Sequence, residues 1–269
     1  MGRVVAVCNQ KGGVAKTTSA FHLGVAWAAL GRRVLWVDMD PQAALTDWAG
    51  HRPAGPGDPT VYHGLMGRAP ASQLIRPSPH GPDLLPSGIE LSMAEMELVA
   101  QMGPERRLAR LLVPVRDGYD YVVVDCQPSL GLLTQNALVV ADEVLVPVAC
   151  EYLALRVLDL VLQALRRIRV QSNSVLGVLG ILPTLYDGRT LHARRVVESL
   201  RAAYGHRYWV IEWPVVKSVR FAEAAERRVP IWEVSPEHPG ARAYRLLAQA
   251  VDGGREAVSV RELGQWEDA

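Results

Sequence analysis

The chain has 269 residues and is 49% hydrophobic, which is enough for one large α/β domain or two small ones, and its formal net charge is +1. The near-zero net charge gives no general argument for binding nucleic acid or a membrane. Three widely separated cysteines exclude a disulfide framework and a cysteine metal cluster and fit a reducing compartment. No apolar run approaches the roughly 18 residues of a membrane helix, and we expect no signal peptide.

Predicted strands and helices alternate along the chain. The predicted strands are 3–8, 33–40, 83–86, 119–126, 143–149 and 174–184, with a further apolar segment at 207–213. The predicted helices are 16–30, 60–67, 90–101, 104–113, 131–140, 152–169 and 190–204, with shorter pieces near 219–227 and 239–251. This alternation predicts a single α/β domain with a mostly parallel twisted sheet and helices on both faces. The phosphate-loop motif in residues 11–18 assigns it to the P-loop NTPase class. Ligands bind such sheets at the carboxyl ends of the strands.

The first of these ends carries the stretch KGGVAKTT, residues 11–18. Two glycines allow a tight turn, and Lys16-Thr17 opens a helix whose N-terminus attracts anions. Lys16 can reach outer phosphates, and the Thr17 hydroxyl can bind Mg²⁺. The predicted phosphate-binding residues are Lys11, Gly12, Gly13, Val14, Ala15, Lys16, Thr17 and Thr18.

This loop departs from the usual pattern G-x-x-x-x-G-K-[ST], which would place glycines at positions 10 and 15. The chain has Gln10 and Ala15 there. Alanine is compatible with the loop at position 15 if the residue has a helical φ, which costs alanine nothing.

Two further strand ends carry carboxylates. Asp38 and Asp40 follow one apolar strand, where a carboxylate needs a cation, a proton to move or a turn to cap. Asp125 ends the run VVVD, as in a Walker B strand, and is the second predicted Mg²⁺ ligand after Thr17. Pro128 and Gly131 follow in a loop that we expect to move and to sense the outermost phosphate.

Together, KGGVAKTT, VDMDPQ and DCQPS followed by LGLLTQNAL resemble the ParA/MinD family of deviant Walker A ATPases, and most closely its Soj-like ParA members. The resemblance runs from residue 3 to about 251, where we place the domain, and leaves 252–269 as a short tail. It implies ATP and Mg²⁺ as cofactors. It also implies a nucleotide-sandwich homodimer in which Lys11 reaches the partner's ATP, and a role for Asp40 in orienting the attacking water. A guanine-recognition [NT]KxD motif is absent, which favours ATP.

The chain differs from this family at Ala15 and Gln127, where relatives usually have Gly and often Pro. Both differences lie in loops and neither removes a charged group, so we expect them to affect loop mobility and hydrolysis rate. Val216 stands where relatives often have Pro, near the expected base pocket, so no adenine-contacting side chain is assigned.

Residues 186–230 contain nine basic and five acidic side chains, a local net charge of +4. Such a surface suits contact with DNA phosphates without base readout. The resemblance implies DNA-binding roles for Arg189 and Arg220. Lys217 joins them because lysine occurs only at 11, 16 and 217 in this arginine-rich chain.

The predicted function is therefore an ATPase that dimerises with ATP, binds double-stranded DNA nonspecifically and drives chromosome or plasmid segregation. A ParB-like centromere-binding protein is the expected partner that stimulates hydrolysis. We expect a cytoplasmic, nucleoid-associated protein that does not bind membranes, because its tail has no clear basic amphipathic face. The alternatives are a ParA-like ATPase that positions another cargo on the nucleoid, and a P-loop small-molecule synthetase.

Overall fold

The computed structural model describes residues 2–55 and 57–254, in which a seven-stranded sheet lies between two layers of helices. The sheet order is β3-β4-β2-β5-β1-β6-β7, and all neighbours are parallel except β3 and β4. The strands are β1 Arg3–Val7, β2 Val34–Met39, β3 Arg76–Pro77, β4 Asp83–Leu85, β5 Tyr121–Cys126, β6 Glu143–Ala149 and β7 Gly177–Thr184.

The helices divide between the two faces of the sheet. Their bounds are α1 Lys16–Ala29, α2 Ala44–Trp48, α3 Val61–Leu65, α4 Ala71–Leu74, α5 Leu91–Val99, α6 Arg107–Leu112, α7 Leu132–Val140, α8 Ala154–Gln171, α9 Leu191–Tyr204, α10 Arg220–Glu226, α11 Ile231–Val234 and α12 Pro239–Asp252. Buried side chains of α3 to α9 pack on one face, and those of α1, α2 and α10 to α12 pack on the other. None of the described helices is both long and apolar enough to cross a bilayer.

The predicted single α/β domain is confirmed, and the main strands and helices lie where the sequence pattern placed them, within a few residues. The short elements α2, α4, β3 and α11 were not predicted. The predicted tail, 252–269, lies outside the described residues apart from its first three positions, of which Asp252 ends α12.

The apolar segment 207–213 does not form a strand. It runs beside β7, where Val210 makes one parallel bridge to Ile181. Proline limits the pairing, because Pro183 in β7 and Pro214 after the segment have no amide proton to donate. The segment nevertheless lies against the sheet edge and buries Val210 and Ile211.

The packing of α1 on the sheet depends on a glycine. A Cβ added at Gly24 would lie 2.0 Å from Nε1 of Trp36, which is fully buried and donates a 3.0 Å hydrogen bond to the Ala20 carbonyl. Glycine in a helix costs up to about 1 kcal/mol relative to alanine, so its presence here reflects lack of space.

We expect Gly24→Ala to lower the free energy of unfolding by about 1–3 kcal/mol, although alanine is the better helix former, because the methyl group overpacks Trp36. Urea denaturation measures the change. Gly118→Ala is the control, since a Cβ there meets no atom within 4 Å and the variant should unfold like the wild type. Equal stability of Gly24→Ala and wild type would contradict this account.

Candidate phosphate-binding site

The predicted phosphate loop connects β1 to α1 and is fastened to the neighbouring strands. The Asn9 side chain donates to the Pro147 carbonyl at 2.7 Å and accepts from the Lys11 amide at 3.0 Å. Farther along, the Thr184 hydroxyl donates to the Val14 carbonyl at 3.0 Å. Side chains at the ends of β1 and β7 therefore fix a loop whose own glycines are flexible. Sequence analysis missed Asn9 and Thr184, although Asn9 is a polar residue directly after an apolar strand.

The backbone of the loop corrects the expectation for Ala15. Its φ is 67° and its ψ is 35°, which is the left-handed region, and Gly13 has a φ of 71°. A left-handed conformation costs a non-glycine residue roughly 1–2 kcal/mol. Ala15 therefore keeps the backbone shape that glycine gives this loop and carries local strain, because the loop must turn into α1 at this point.

The two loop lysines have different environments. Lys16 is 7% exposed, and its ammonium donates to the Lys11 carbonyl at 3.0 Å, across the mouth of the loop. Lys11 points outward and forms an ion pair with Glu151, with 40% of the Lys11 side chain exposed. Of these two lysines, only Lys16 lies in the cradle. The pairing with Glu151 had no signal in the sequence, because 140 positions separate the two residues.

The carboxylates of β2 and β5 lie side by side, because the parallel register pairs Asp38 with Asp125. Both are fully buried. Asp38 accepts hydrogen bonds from the Thr46 amide and hydroxyl at 2.9 and 2.7 Å. Burial raises the pKa of Asp38 to about 6, against the effect of these hydrogen bonds.

Asp125 has neither carboxylate oxygen hydrogen-bonded to a described residue. Burial, followed by the charge of Asp38, raises the pKa of Asp125 well above its ordinary value. Thr17 and Lys16 lie close enough to lower that pKa, but neither completes a hydrogen bond to the carboxylate. A buried carboxylate without a partner is costly unless a cation joins it, so these residues fit a bound Mg²⁺.

The described side chains of this site do not by themselves complete the coordination of a metal ion. Among residues 2–55 and 57–254, no group of three or more His, Cys, Asp or Glu side chains could hold a metal ion. Mg²⁺ usually binds through one or two protein oxygens, several waters and substrate phosphates. Thr17 and Asp125 match that pattern.

Asp40 lies at the tip of β2, half-buried, and its Oδ1 accepts a 2.9 Å hydrogen bond from the Gln42 amide. It is close enough to Asp125 to raise the pKa of that group. The structure therefore brings together five of the predicted residues at the carboxyl ends of the strands: Lys16, Thr17, Asp38, Asp40 and Asp125.

The three predicted DNA-contacting residues lie next to this end of the sheet. A cavity of about 550 Å³ is lined by Ala15 and Thr18 on one side and by Arg189 and Lys217 on the other. Arg220 begins α10 beside it and pairs with Glu223 at 2.6 Å. Arg189 pairs with Asp187 at 2.8 Å, although 90% of the arginine side chain is exposed.

We expect Asp125→Asn to raise the free energy of unfolding at pH 8 by more than about 1 kcal/mol. The folded-state pKa of Asp125 is raised, so its ionisation opposes folding, and the destabilisation grows as pH rises above the unfolded value. The gain should shrink at pH 4, and Mg²⁺-dependent phosphate chemistry should be lost. Denaturant unfolding at both pH values tests this, and a variant less stable than wild type at pH 8 contradicts it.

Comparison with known proteins places this site in a family. The family described as "AAA domain" matches residues 2–178. Chromosome-partitioning ATPase Soj of Treponema pallidum is 39% identical, with 95% of this chain and 100% of that protein covered, and Soj of Thermus thermophilus is 42% identical, with 93% and 95% covered. A Mycobacterium smegmatis structure described as cobyrinic acid a,c-diamide synthase, with bound ATP analogue and magnesium, is 37% identical, with a TM-score of 0.83 over 96% of this chain and 99% of that one. The strand-end carboxylates, the two-lysine phosphate loop and the near-complete Soj matches together show that this chain belongs to the ParA/MinD family of P-loop ATPases.

Proposed function

We propose that this ATPase is an ATP-dependent dimer switch that binds DNA nonspecifically in chromosome or plasmid segregation. The observation that carries the proposal is the placement of the two lysines. Lys16 closes the subunit's own cradle, whereas Lys11 lies outside it and is held only by an exposed ion pair. Exposed ion pairs contribute little, so Lys11 is available to another subunit's triphosphate.

In this proposal ATP and Mg²⁺ occupy the phosphate loop. The loop amides and Lys16 bind the phosphates, and Thr17 and Asp125 bind the metal ion, which neutralises the buried carboxylate. Asp40 orients the attacking water from the tip of β2. A partner's Lys11 adds a second cation to the transferring phosphoryl group, which stabilises the charge that develops there.

DNA binding is supported by surface charge on α8 and α9. Six arginines on these helices are exposed and form no ion pair with any residue that the structure describes: Arg156, Arg166, Arg167, Arg194, Arg195 and Arg201. Between positions 154 and 210 there are nine arginines and three acidic residues, a net charge of +6 in a chain of net +1. Such a surface suits contact with DNA phosphates.

The cavity beside the phosphate loop gives a physical reason for nucleotide control of DNA binding. Thr18 and Lys217 line the same 550 Å³ space, so a nucleotide that extends into it changes the surroundings of Lys217 and Arg189. The ion pairs of Arg189 and Arg220 with neighbouring carboxylates are exposed and can exchange for DNA phosphates. A ParB-like partner that stimulates hydrolysis would then release the DNA.

Two other functions remain as candidates. A ParA-like ATPase that positions a non-DNA cargo on the nucleoid would use the same dimer and DNA surface. A small-molecule synthetase is favoured by one observation, the description of the M. smegmatis structure as cobyrinic acid a,c-diamide synthase. Incubation with cobyrinic acid, glutamine and Mg²⁺-ATP distinguishes it, since a synthetase forms the diamide and a segregation ATPase does not.

We expect Lys11→Ala to bind ATP with near-normal affinity and to remain monomeric, because Lys16 still holds the phosphates while the cation for the partner is gone. Light scattering with a non-hydrolysable ATP analogue measures the mass, and calorimetry measures the affinity. Glu151→Ala is the matched control, because it breaks the same ion pair and keeps the lysine. A stable Lys11→Ala dimer would refute the cross-subunit role.

We expect Arg220→Glu to abolish binding to two unrelated duplexes at moderate salt and to leave ATP-dependent dimerisation intact.

Arg166→Ala with Arg167→Ala should lower the slope of log affinity against log salt by roughly 0.9 for each lost phosphate contact. Arg52→Ala is the control, because it removes an exposed arginine next to His51, whose ring is hydrogen-bonded to the Pro77 carbonyl of β3, the edge strand opposite β7. If wild type binds neither duplex with ATP, the DNA proposal fails. If the Arg166/Arg167 variant keeps the wild-type slope, only the α8 contribution fails.

A further inference from the structure

The loop 127–131 follows Asp125 after one residue and lies against the phosphate loop. A Cβ added at Gly12 would be 3.9 Å from Cβ of Pro128, which is an ordinary contact distance. The position of this loop therefore bears on both the predicted metal ligand and the phosphate cradle.

One carboxylate outside the cradle holds both ends of this loop. Oε1 of Glu95, on α5, accepts a 3.0 Å hydrogen bond from the Gln127 side-chain amide at the start of the loop. The same oxygen accepts a 3.3 Å hydrogen bond from the Leu133 backbone amide just after the loop. Glu95 is half-buried, so these bonds are partly protected from water.

The Leu133 contact also completes the N-terminus of α7. Gly131 is the N-cap residue and has no side chain to accept from the first amides of the helix. A Cβ at Gly131 would lie 2.3 Å from Oε1 of Glu95, so glycine leaves the space that the carboxylate occupies. Glu95 thus supplies the acceptor that a Ser or Asp N-cap would otherwise provide, and its charge suits the positive end of the helix dipole.

We propose that Glu95 is a positioning residue for ATP hydrolysis, acting through Gln127. Glu95 touches neither Asp125 nor the phosphate loop. Its two hydrogen bonds instead fix the loop 127–131, which connects β5 to α7. Gln127 is the donor in this interaction, and a proline at that position would have no side-chain amide to donate. The hydrogen bond to Glu95 compensates for the chain flexibility that a non-proline residue permits.

We expect Gln127→Ala to lower kcat for ATP hydrolysis by about tenfold, because a rate change of that size corresponds to somewhat less than the free energy of one hydrogen bond to a charged group. ATP affinity measured by calorimetry should stay within twofold of wild type, because the phosphates are held by Lys16 and the loop amides. Glu95→Ala, which also loses the hydrogen bond from the Leu133 amide, should lower kcat at least as much, and Glu95→Ala with Gln127→Ala should fall no further than Glu95→Ala alone. Gln163→Ala, an exposed glutamine on α8, is the control and should keep the wild-type kcat.

Exchange of the two side chains separates positioning from stability. Gln127→Glu alone places two carboxylates together and should lower kcat more than Gln127→Ala. Adding Glu95→Gln restores a donor and an acceptor in exchanged positions and should recover most of the wild-type kcat. The inference is overturned if Gln127→Ala keeps wild-type kcat, if the two alanine effects are additive, or if the exchange gives no recovery while the variant is folded by circular dichroism. It needs only the ATPase activity, so a failure of DNA binding leaves it untouched.

Discussion

The pairing of Asp38 with Asp125 across β2 and β5 is the constraint on which the site depends. Two fully buried carboxylates at adjacent strand ends oppose each other's ionisation, and burial adds to that cost. The neighbouring Lys16 offsets part of it, while Asp125 is left without a hydrogen bond among the described residues. The fold thus holds an unfavourable charge arrangement that a bound cation would relieve.

A strained backbone conformation is found at the same end of the sheet. Ala15 keeps a left-handed conformation that glycine would adopt freely, and Asn9 and Thr184 hold the loop in place through its carbonyl and amide groups. Local strain persists only where the surrounding structure fixes it. In this protein Asn9, just after β1, and Thr184, at the end of β7, provide that rigidity.

The side chain of His22 connects α1 to the part of the chain that carries α10 and α11. His22 is fully buried, its Nδ1 donates to the Thr18 carbonyl at 2.7 Å, and its Nε2 accepts from the Ile231 amide at 3.0 Å. Burial lowers the pKa of His22 to about 3, so the neutral ring is kept across physiological pH. The helix that begins at the phosphate loop is therefore connected to the segment that follows Arg220.

The sequence by itself determined the alternating elements, the phosphate loop and the two acidic strand ends, because each depends on local patterns of apolar residues, glycine and charge. It also located Lys11, Lys16, Thr17 and Asp125 through motifs of fixed spacing. Only the tertiary structure decided the partners that lie far away in the chain: Glu151 beside Lys11, Asp38 beside Asp125 and Glu95 beside Gln127. The tertiary structure also decided the conformation of Ala15, which is left-handed and not the unstrained helical one that the sequence suggested. An alanine adopts the right-handed region freely and the left-handed one at some cost, and the neighbouring strands, not the local sequence, fix which one it adopts.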